Sequence, residues 1–160
     1  MKIGIVSDTH SRPLPKQMIE DFKNVDMIIH AGDFCALEDY QRFAKMTKSL
    51  KAVYGNMDEL KLCKKLPQKE IFECQKVRIG IFHGMGVAPS VLEKVQSEFA
   101  HDRVNVVVFG HSHQAYNKSI KNVLYFNPGS PNDKVSAPYC SYGLLTIDEG
   151  KFSAEIIKIK

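Results

Sequence analysis

The stretch Val104-Asn105-Val106-Val107-Val108-Phe109-Gly110-His111-Ser112-His113 decides the fold. Residues 104–109 form the most continuously apolar run of the chain, and such a short Val-rich run is typical of a fully buried strand. His111 and His113 follow it directly. Because residues i and i+2 of an extended segment point the same way, both imidazoles can face one cavity. This pair alone is weak evidence of a metal site, since two histidines are often simply solvated.

Four earlier apolar runs also end in possible metal ligands. The runs are interpreted as strands over 3–6, 27–29, 51–54 and 77–82, followed by Ser7-Asp8-Thr9-His10, His30-Ala31-Gly32-Asp33, Gly55-Asn56-Met57-Asp58 and His83-Gly84-Met85-Gly86. Helical patterns over 16–23 and 37–48 separate the first three of these strands, the second with Tyr40, Phe43, Ala44 and Thr47 on one face. This alternation predicts parallel strands.

The second half of the chain has a different pattern. Residues 70–74 and 77–82 are predicted to be two strands joined by a tight connection, and a helix is predicted over 89–99. Further strands are predicted over 116–120, 123–126, 142–147 and 152–159, the last two as a hairpin turning at Gly150. Strand–helix repetition followed by hairpins predicts an α/β fold with two packed sheets flanked by helices, in a single domain spanning 1–160.

Composition and charge narrow the function classes. With 44% hydrophobic and 25% charged residues, the chain of 160 residues resembles an ordinary soluble globular protein. The net charge of +4 comes partly from lysine groups at 61–69 and 118–121, interpreted as a solvated face or a rim that attracts anionic substrates. No aromatic interleaving accompanies the lysines, so nucleic acid is expected only as a nucleotide substrate.

The expected compartment is the cytoplasm. The four cysteines, Cys35, Cys63, Cys74 and Cys140, have neither zinc-site nor C-x-x-C spacing, which indicates reduced thiols. The apolar run 1–6 is too short for a signal peptide, and no segment approaches the ~20 apolar residues of a membrane span. No membrane partner is expected, and a homo-oligomer is left open.

The polar residues at the strand ends together predict a metal site. Seven residues form this set: Asp8, His10, Asp33, Asn56, His83, His111 and His113. Successive members from different strands lie 23 to 28 residues apart, close to one strand–helix–strand repeat, so each can reach the same sheet edge. Carboxylates, imidazoles and an amide oxygen suit Mn²⁺, Fe²⁺, Co²⁺, Ni²⁺ or Zn²⁺. Seven ligands are too many for one tetrahedral ion and suit two ions that share a carboxylate.

Each member of the set also has a simpler interpretation. The aspartates can cap loops or helices, and Asn56 can be a turn residue with positive φ. His30 and His101 do not fit the ligand pattern and are excluded from the set.

With these motifs the chain resembles the calcineurin-like metallophosphoesterases. Their pattern D-x-H, G-D, G-N-H-[DE], H and G-H-x-H appears here as Asp8-Thr9-His10, Gly32-Asp33, Gly55-Asn56-Met57-Asp58, His83 and Gly110-His111-Ser112-His113. The later Asn127-Pro128-Gly129-Ser130 is similar to the small bacterial and archaeal phosphodiesterases of the family. The resemblance implies a four-layer αββα sandwich with two mixed sheets.

The resemblance also implies a phosphodiesterase mechanism. Asp8, His10, Asp33 and His113 would hold one ion and Asp33, Asn56, His83 and His111 the other, most simply Mn²⁺. A hydroxide bridging the two ions would attack a small phosphodiester substrate. Asn56, His83 and Asp58 form the expected catalytic group, with Asp58 orienting a ligand or the loop, and Asn56 and Arg12 are the expected phosphate contacts. The Asn127–Ser130 turn is either an anion-binding turn or a structural one.

One position departs from the family pattern. The histidine of G-N-H is replaced by Met57, which cannot donate a proton to a leaving group.

Two other functions remain open. One is a phosphomonoesterase that uses the same site. The other is a non-catalytic scaffold similar to a subunit of the eukaryotic retromer complex, whose catalytic site is impaired. Here all seven ligand positions hold competent residues, which favours the enzyme.

Overall fold

The structure is a computed structural model that describes residues 1–87 and 89–160. Its strands are β1 (Lys2–Val6), β2 (Met27–His30), β3 (Leu50–Ala52), β4 (Lys69–Cys74), β5 (Val77–Phe82), β6 (Val106–Val108), β7 (Tyr116–Ile120), β8 (Val123–Asn127), β9 (Ser141–Asp148) and β10 (Lys151–Lys158). Its helices are α1 (Lys16–Phe22), α2 (Leu37–Met46), α3 (Leu60–Lys65) and α4 (Val91–Glu98).

The strands form two mixed five-stranded sheets. The first has the order β10-β9-β1-β2-β3, with β1, β2 and β3 parallel, β9 antiparallel to β1, and β10 antiparallel to β9. The second has the order β4-β5-β6-β8-β7, with β5, β6 and β8 parallel and both edge strands antiparallel. The predicted parallel strands and late hairpins are confirmed.

Three apolar clusters separate the layers. Alternate residues of the central strands, such as Ile5 of β1 and Val108 of β6, are fully buried in one cluster between the two sheets. The opposite face of the first sheet packs against α1, α2 and α3, where Phe22 and Phe43 are buried. The outer face of the second sheet packs against α4, where Val95 is fully buried. The predicted αββα layering is therefore confirmed.

Several local predictions were wrong. α3 was not predicted, because in six residues only Leu62 is buried and no helical period becomes visible. α2 ends at Met46, so Thr47 lies outside it, and Ala44 is exposed, not buried. β3 spans Leu50–Ala52 instead of 51–54.

The carboxyl ends of the parallel strands of both sheets lie at one edge of the molecule. β1, β2 and β3 of the first sheet end there. β5 and β6 of the second sheet end beside them, since the backbone N–H of His111, after β6, donates to Oδ2 of Asp8, after β1. Loops at this position form binding sites in open α/β sheets. Within the part of the chain that the structure describes, no helix has the length and apolarity to cross a bilayer.

Candidate metal centre

The carboxylate of Asp8 lies at the centre of this edge and is completely buried. Its Oδ2 accepts a hydrogen bond of 3.1 Å from the backbone N–H of His111. Its Oδ1 has no hydrogen-bond partner among the described residues. That oxygen faces the Nε2 atoms of His113, His83 and His10 at 3.3, 3.8 and 4.0 Å respectively. A buried oxygen without a donor is costly, and a cation between it and the imidazoles would satisfy it.

A second group of side chains lies beside Asp8. His83 Nε2 is 3.3 Å from Asp33 Oδ2 and 3.2 Å from Asn56 Oδ1. The same Asn56 oxygen is 2.8 Å from His111 Nδ1. The structure thus brings together all seven residues of the predicted set, although they come from five different strand ends. Asp8, His10 and His113 form one group of potential ligand atoms within 4.8 Å of one another, and Asp8, Asp33 and His83 form another.

In their neutral forms, His83 and His111 direct an unprotonated nitrogen into the centre. The outer nitrogens of His83 and His111 lie 2.7 Å from the carbonyl oxygens of Ala31 and Gly86. A carbonyl oxygen only accepts, so each outer nitrogen carries the hydrogen and the inner one keeps its lone pair in the neutral ring. The donor set of carboxylates, imidazoles and an amide oxygen therefore fits divalent transition metals.

The backbone at the centre is strained. Asp8, His10, Asp33, His111 and His113 all have φ between 50° and 66°, a region that non-glycine residues adopt at a cost of order 1–3 kcal/mol each. Such strain persists where the surrounding structure imposes it, and it concentrates at functional sites.

Two glycines make room for the aspartates. A Cβ on Gly55 would lie 2.2 Å from Asp33 Oδ1, and one on Gly110 would lie 2.6 Å from Asp8 Oδ2. The glycines of the G-N and G-H motifs are therefore required by close approach to the carboxylates.

The carboxylates shift the pKa values of the imidazoles. Burial lowers the pKa of His83, but Asp33 and Asp8 outweigh it and raise the pKa to about 9. Contact with the Asp8 carboxylate raises the pKa of His113 to about 9, against the effect of burial. Burial dominates at His10 and lowers its pKa. Burial raises the pKa of Asp33, but the hydrogen bond with His83 outweighs it, so the net shift is downward.

Asp58 holds two ligand loops together without facing the centre itself. Its Oδ1 accepts from the backbone N–H of Cys35 at 2.7 Å, and its Oδ2 accepts from those of Asp33 and Gly55 at 3.0 and 2.7 Å. Asp58 thus joins the Asp33 loop to the Gly55 loop, while its expected role in catalysis stays a prediction.

Arg12 and Met57 both lie at the surface. Arg12 donates from Nη1 to the carbonyl of Asn132 at 3.1 Å, and its contact with phosphate stays a prediction. The Met57 side chain is 58% exposed, while its backbone N–H donates to Asp33 Oδ1 at 2.8 Å.

The Asn127–Ser130 turn is structural. The N–H of Gly129 donates to Asn127 Oδ1 at 2.9 Å and so is not free for an anion. Asn127 Nδ2 donates to Gly110 O at 2.9 Å, and Ser130 Oγ donates to Asp8 O at 2.8 Å. The turn therefore supports the backbone of two ligand segments.

His30, which the sequence analysis left out of the ligand set, is a core residue. Its ring stacks on Phe34 with centroids 3.5 Å apart. Its Nδ1 accepts from the N–H of Gly32 at 3.2 Å, which places the ring hydrogen on Nε2 toward Thr9 Oγ1 at 3.1 Å. Burial lowers the pKa of His30 well below its ordinary value, so the ring is neutral.

Asp133 belongs to the centre but was not predicted from the sequence. It is buried, and its Oδ2 accepts a hydrogen bond from Nδ1 of His113. Burial raises its pKa, but the hydrogen bonds from His113 and the backbone outweigh burial and hold it well below its ordinary value. The residue follows no strand, and no motif near it in the sequence points to His113.

Residues 1–150 match the model of the calcineurin-like phosphoesterase superfamily domain. The chain belongs to this family. It is similar to a probable metallophosphoesterase of Methanocaldococcus jannaschii, with 36% identity over all of this chain and 82% of the relative. It is also 34% identical to a phosphodiesterase of the same organism, over 81% of this chain and 83% of that protein.

Solved structures agree with this assignment. An archaeal phosphodiesterase, 28% identical, superposes with a TM-score of 0.78 over 98% of this chain and all of the other. Wild-type Vps29 of Entamoeba histolytica, complexed with zinc, has a TM-score of 0.76 and covers 99% of each chain. Its identity of 22% shows a common fold alone. The family resemblance predicted from the motifs is confirmed, and the chain is a phosphoester hydrolase by family with candidate divalent-metal ligands.

Proposed function

We propose that the protein is a metal-dependent phosphodiesterase that binds two divalent ions, most simply Mn²⁺, and acts in the cytoplasm on small phosphate diesters. The observation that carries the proposal is the buried, unpartnered Oδ1 of Asp8, which faces three imidazole nitrogens at the meeting point of the two ligand groups. The phosphodiesterase relatives support the choice of a diester.

The proposed ligand allocation follows the family pattern. Asp8, His10 and His113 would hold one ion, Asn56, His83 and His111 the other, and Asp33 would be shared. Two divalent ions bound there would supply a hydroxide nucleophile at neutral pH and neutralise phosphoryl oxygens.

The protein's own groups would fix the geometry of the reaction. The carbonyls of Ala31 and Gly86 hold two imidazoles in the tautomer that leaves the inner nitrogen free. Asp58 accepts hydrogen bonds from the backbone N–H groups of Asp33 and Gly55 and so holds the two loops together. Asn56 is exposed at the mouth of the centre, where its amide would also contact the phosphoryl group, and Arg12 would add a positive charge at the rim.

The test compares bis-aryl and mono-aryl phosphates as substrates of the Mn²⁺-reconstituted protein. We expect diester hydrolysis to exceed monoester hydrolysis and to be lost in excess chelator. A clear monoester preference would make the protein a phosphomonoesterase. Full metal binding without hydrolysis of either substrate would favour a scaffold, the alternative with which the fold of Vps29 is partly consistent.

A further inference from the structure

The loop after the Asn127–Ser130 turn reaches an imidazole of the metal centre through the side chain of Asp133. Asp133 lies 20 residues from His113 in sequence, and its Oδ2 accepts from Nδ1 of that imidazole. The opposite ring nitrogen, Nε2, faces Asp8 Oδ1 at 3.3 Å and His10 Nε2 at 3.1 Å. The proton on the outer nitrogen therefore decides whether the inner nitrogen of the neutral ring offers a lone pair.

The other oxygen of Asp133 is also occupied. Its Oδ1 accepts from the backbone N–H groups of Val135 and Ser136 at 2.7 and 3.0 Å. In addition, the backbone N–H of Asp133 donates to Ser130 Oγ at 3.1 Å, and Ser130 Oγ itself donates to the carbonyl of Asp8. The carboxylate is therefore held at both oxygens and cannot rotate without breaking several hydrogen bonds.

We propose that Asp133 is a positioning residue that fixes His113 as the Nδ1–H tautomer and so presents its Nε2 as a metal ligand. The inference rests on the proposed function, because it assumes that His113 binds an ion. The other outward partners in the centre are backbone carbonyls at His83 and His111, and a thiol 3.5 Å from Nδ1 of His10. Among the described residues, His113 is thus the one proposed ligand whose tautomer depends on a carboxylate that a point substitution can change.

The substitution Asp133→Asn tests the proposal sharply. The Val135 and Ser136 N–H groups require an acceptor, so the amide oxygen takes the Oδ1 position and the NH₂ group the Oδ2 position. An NH₂ group facing Nδ1 makes that nitrogen an acceptor, and the ring hydrogen moves to Nε2. Rotating the amide to avoid this would place its NH₂ group against two backbone donors. The loop stays anchored while the tautomer of His113 is reversed.

Two measurements on the full chain decide the outcome. The first is the ¹⁵N NMR signature of His113 in metal-free protein at alkaline pH, where the ring is neutral. We expect hydrogen on Nδ1 in the wild type and on Nε2 in Asp133→Asn. The second is Mn²⁺ titration, in which Asp133→Asn should lower the affinity for one of the two ions about 10- to 100-fold. Val135→Ala, which keeps the backbone N–H that donates to Asp133 Oδ1 and truncates a side chain that is 95% exposed, is the matched control and should leave both readouts unchanged.

The readouts separate this inference from the proposed function. If the wild type binds no metal, the proposed function fails, and the NMR signature still reports the tautomer control that Asp133 is inferred to exert. If Asp133→Asn keeps hydrogen on Nδ1 or binds Mn²⁺ as tightly as the wild type, the inference is wrong. A loss of metal equal in Asp133→Asn and Val135→Ala would likewise overturn it, because the effect would then come from the loop.

Discussion

The backbone N–H of His111 donates to Oδ2 of Asp8 at 3.1 Å, although the two residues lie 103 positions apart. This bond joins the carboxyl end of β1 in the first sheet to the segment after β6 in the second. It also fixes the rotation of the Asp8 carboxylate, so that Oδ1 faces the imidazoles. The centre is therefore assembled only when the two sheets pack together.

We expect Asp33→Ala and His113→Ala to differ in how many ions they lose. Asp33 is the proposed shared ligand, so its removal should weaken the binding of both ions. His113→Ala should weaken the binding of one ion only. Isothermal titration with Mn²⁺ under identical conditions gives the stoichiometry of each variant. Equal loss in the two variants would contradict the allocation with Asp33 shared.

Metal affinity should rise with pH between about 6.5 and about 9. His83 and His113 in the metal-free fold have pKa values raised from 6.5 to about 9, and a ligand nitrogen must release its proton before it binds an ion. The affinity should level off above this window. Anaerobic Mn²⁺ titrations at a series of pH values measure it, and an affinity that is constant across the window would disagree with the account.

The same two histidines should make the metal-free protein less stable at alkaline pH. Their folded-state pKa values exceed the ordinary value, so their stabilisation is fully present below about pH 6.5 and is lost as the pH rises through about 9. Denaturant unfolding with chelator present should show this decrease. A stability that rises over this range would mean that other groups dominate.

Asp58→Asn should reduce stability even in the absence of metal. The variant retains one acceptor oxygen and places an NH₂ group against a backbone donor, in place of a carboxylate that accepts three N–H groups. An unsatisfied buried donor costs about 1–3 kcal/mol, which is the expected decrease in the free energy of unfolding. Urea denaturation with chelator measures it. Glu59→Gln is a suitable neighbouring control, because it keeps the Oε1 acceptor of the Leu37 N–H.

Hydrolysis should depend steeply on the acidity of the leaving alcohol, because Met57 replaces the proton donor of the family motif. A positioned acid is typically worth about 10²–10⁴-fold, so Met57→His should raise the turnover of alkyl esters relative to aryl esters. The exposed side chain of Met57 leaves room for the imidazole. A leaving-group series measures the slope. A flat dependence in the wild type would show that another group donates the proton.

The fold and the convergence of the candidate ligands were predictable because both depend on local patterns. Each ligand follows an apolar run directly, so the strand and the site residue are visible in the same few positions, as at Val108 and His111. The short helix α3 was not predictable, since it buries Leu62 while Leu60 is 77% exposed.

Contacts between distant segments left no signal in the sequence. Asp133 follows a turn and no strand, and nothing near it indicates that it meets His113. The contact between Cys35 and His10, with 3.5 Å between Sγ and Nδ1, is also a product of packing. Such pairs are set by how the two sheets and their loops assemble, and a single sequence does not record that arrangement.

The most direct measurement of the central claim is the metal content of the purified protein after Mn²⁺ reconstitution and removal of free ions. The buried Oδ1 of Asp8 and the seven converging side chains predict two ions per chain, and two ions would support the proposed centre. A content that stays near zero would contradict it, and with it the proposed phosphodiesterase.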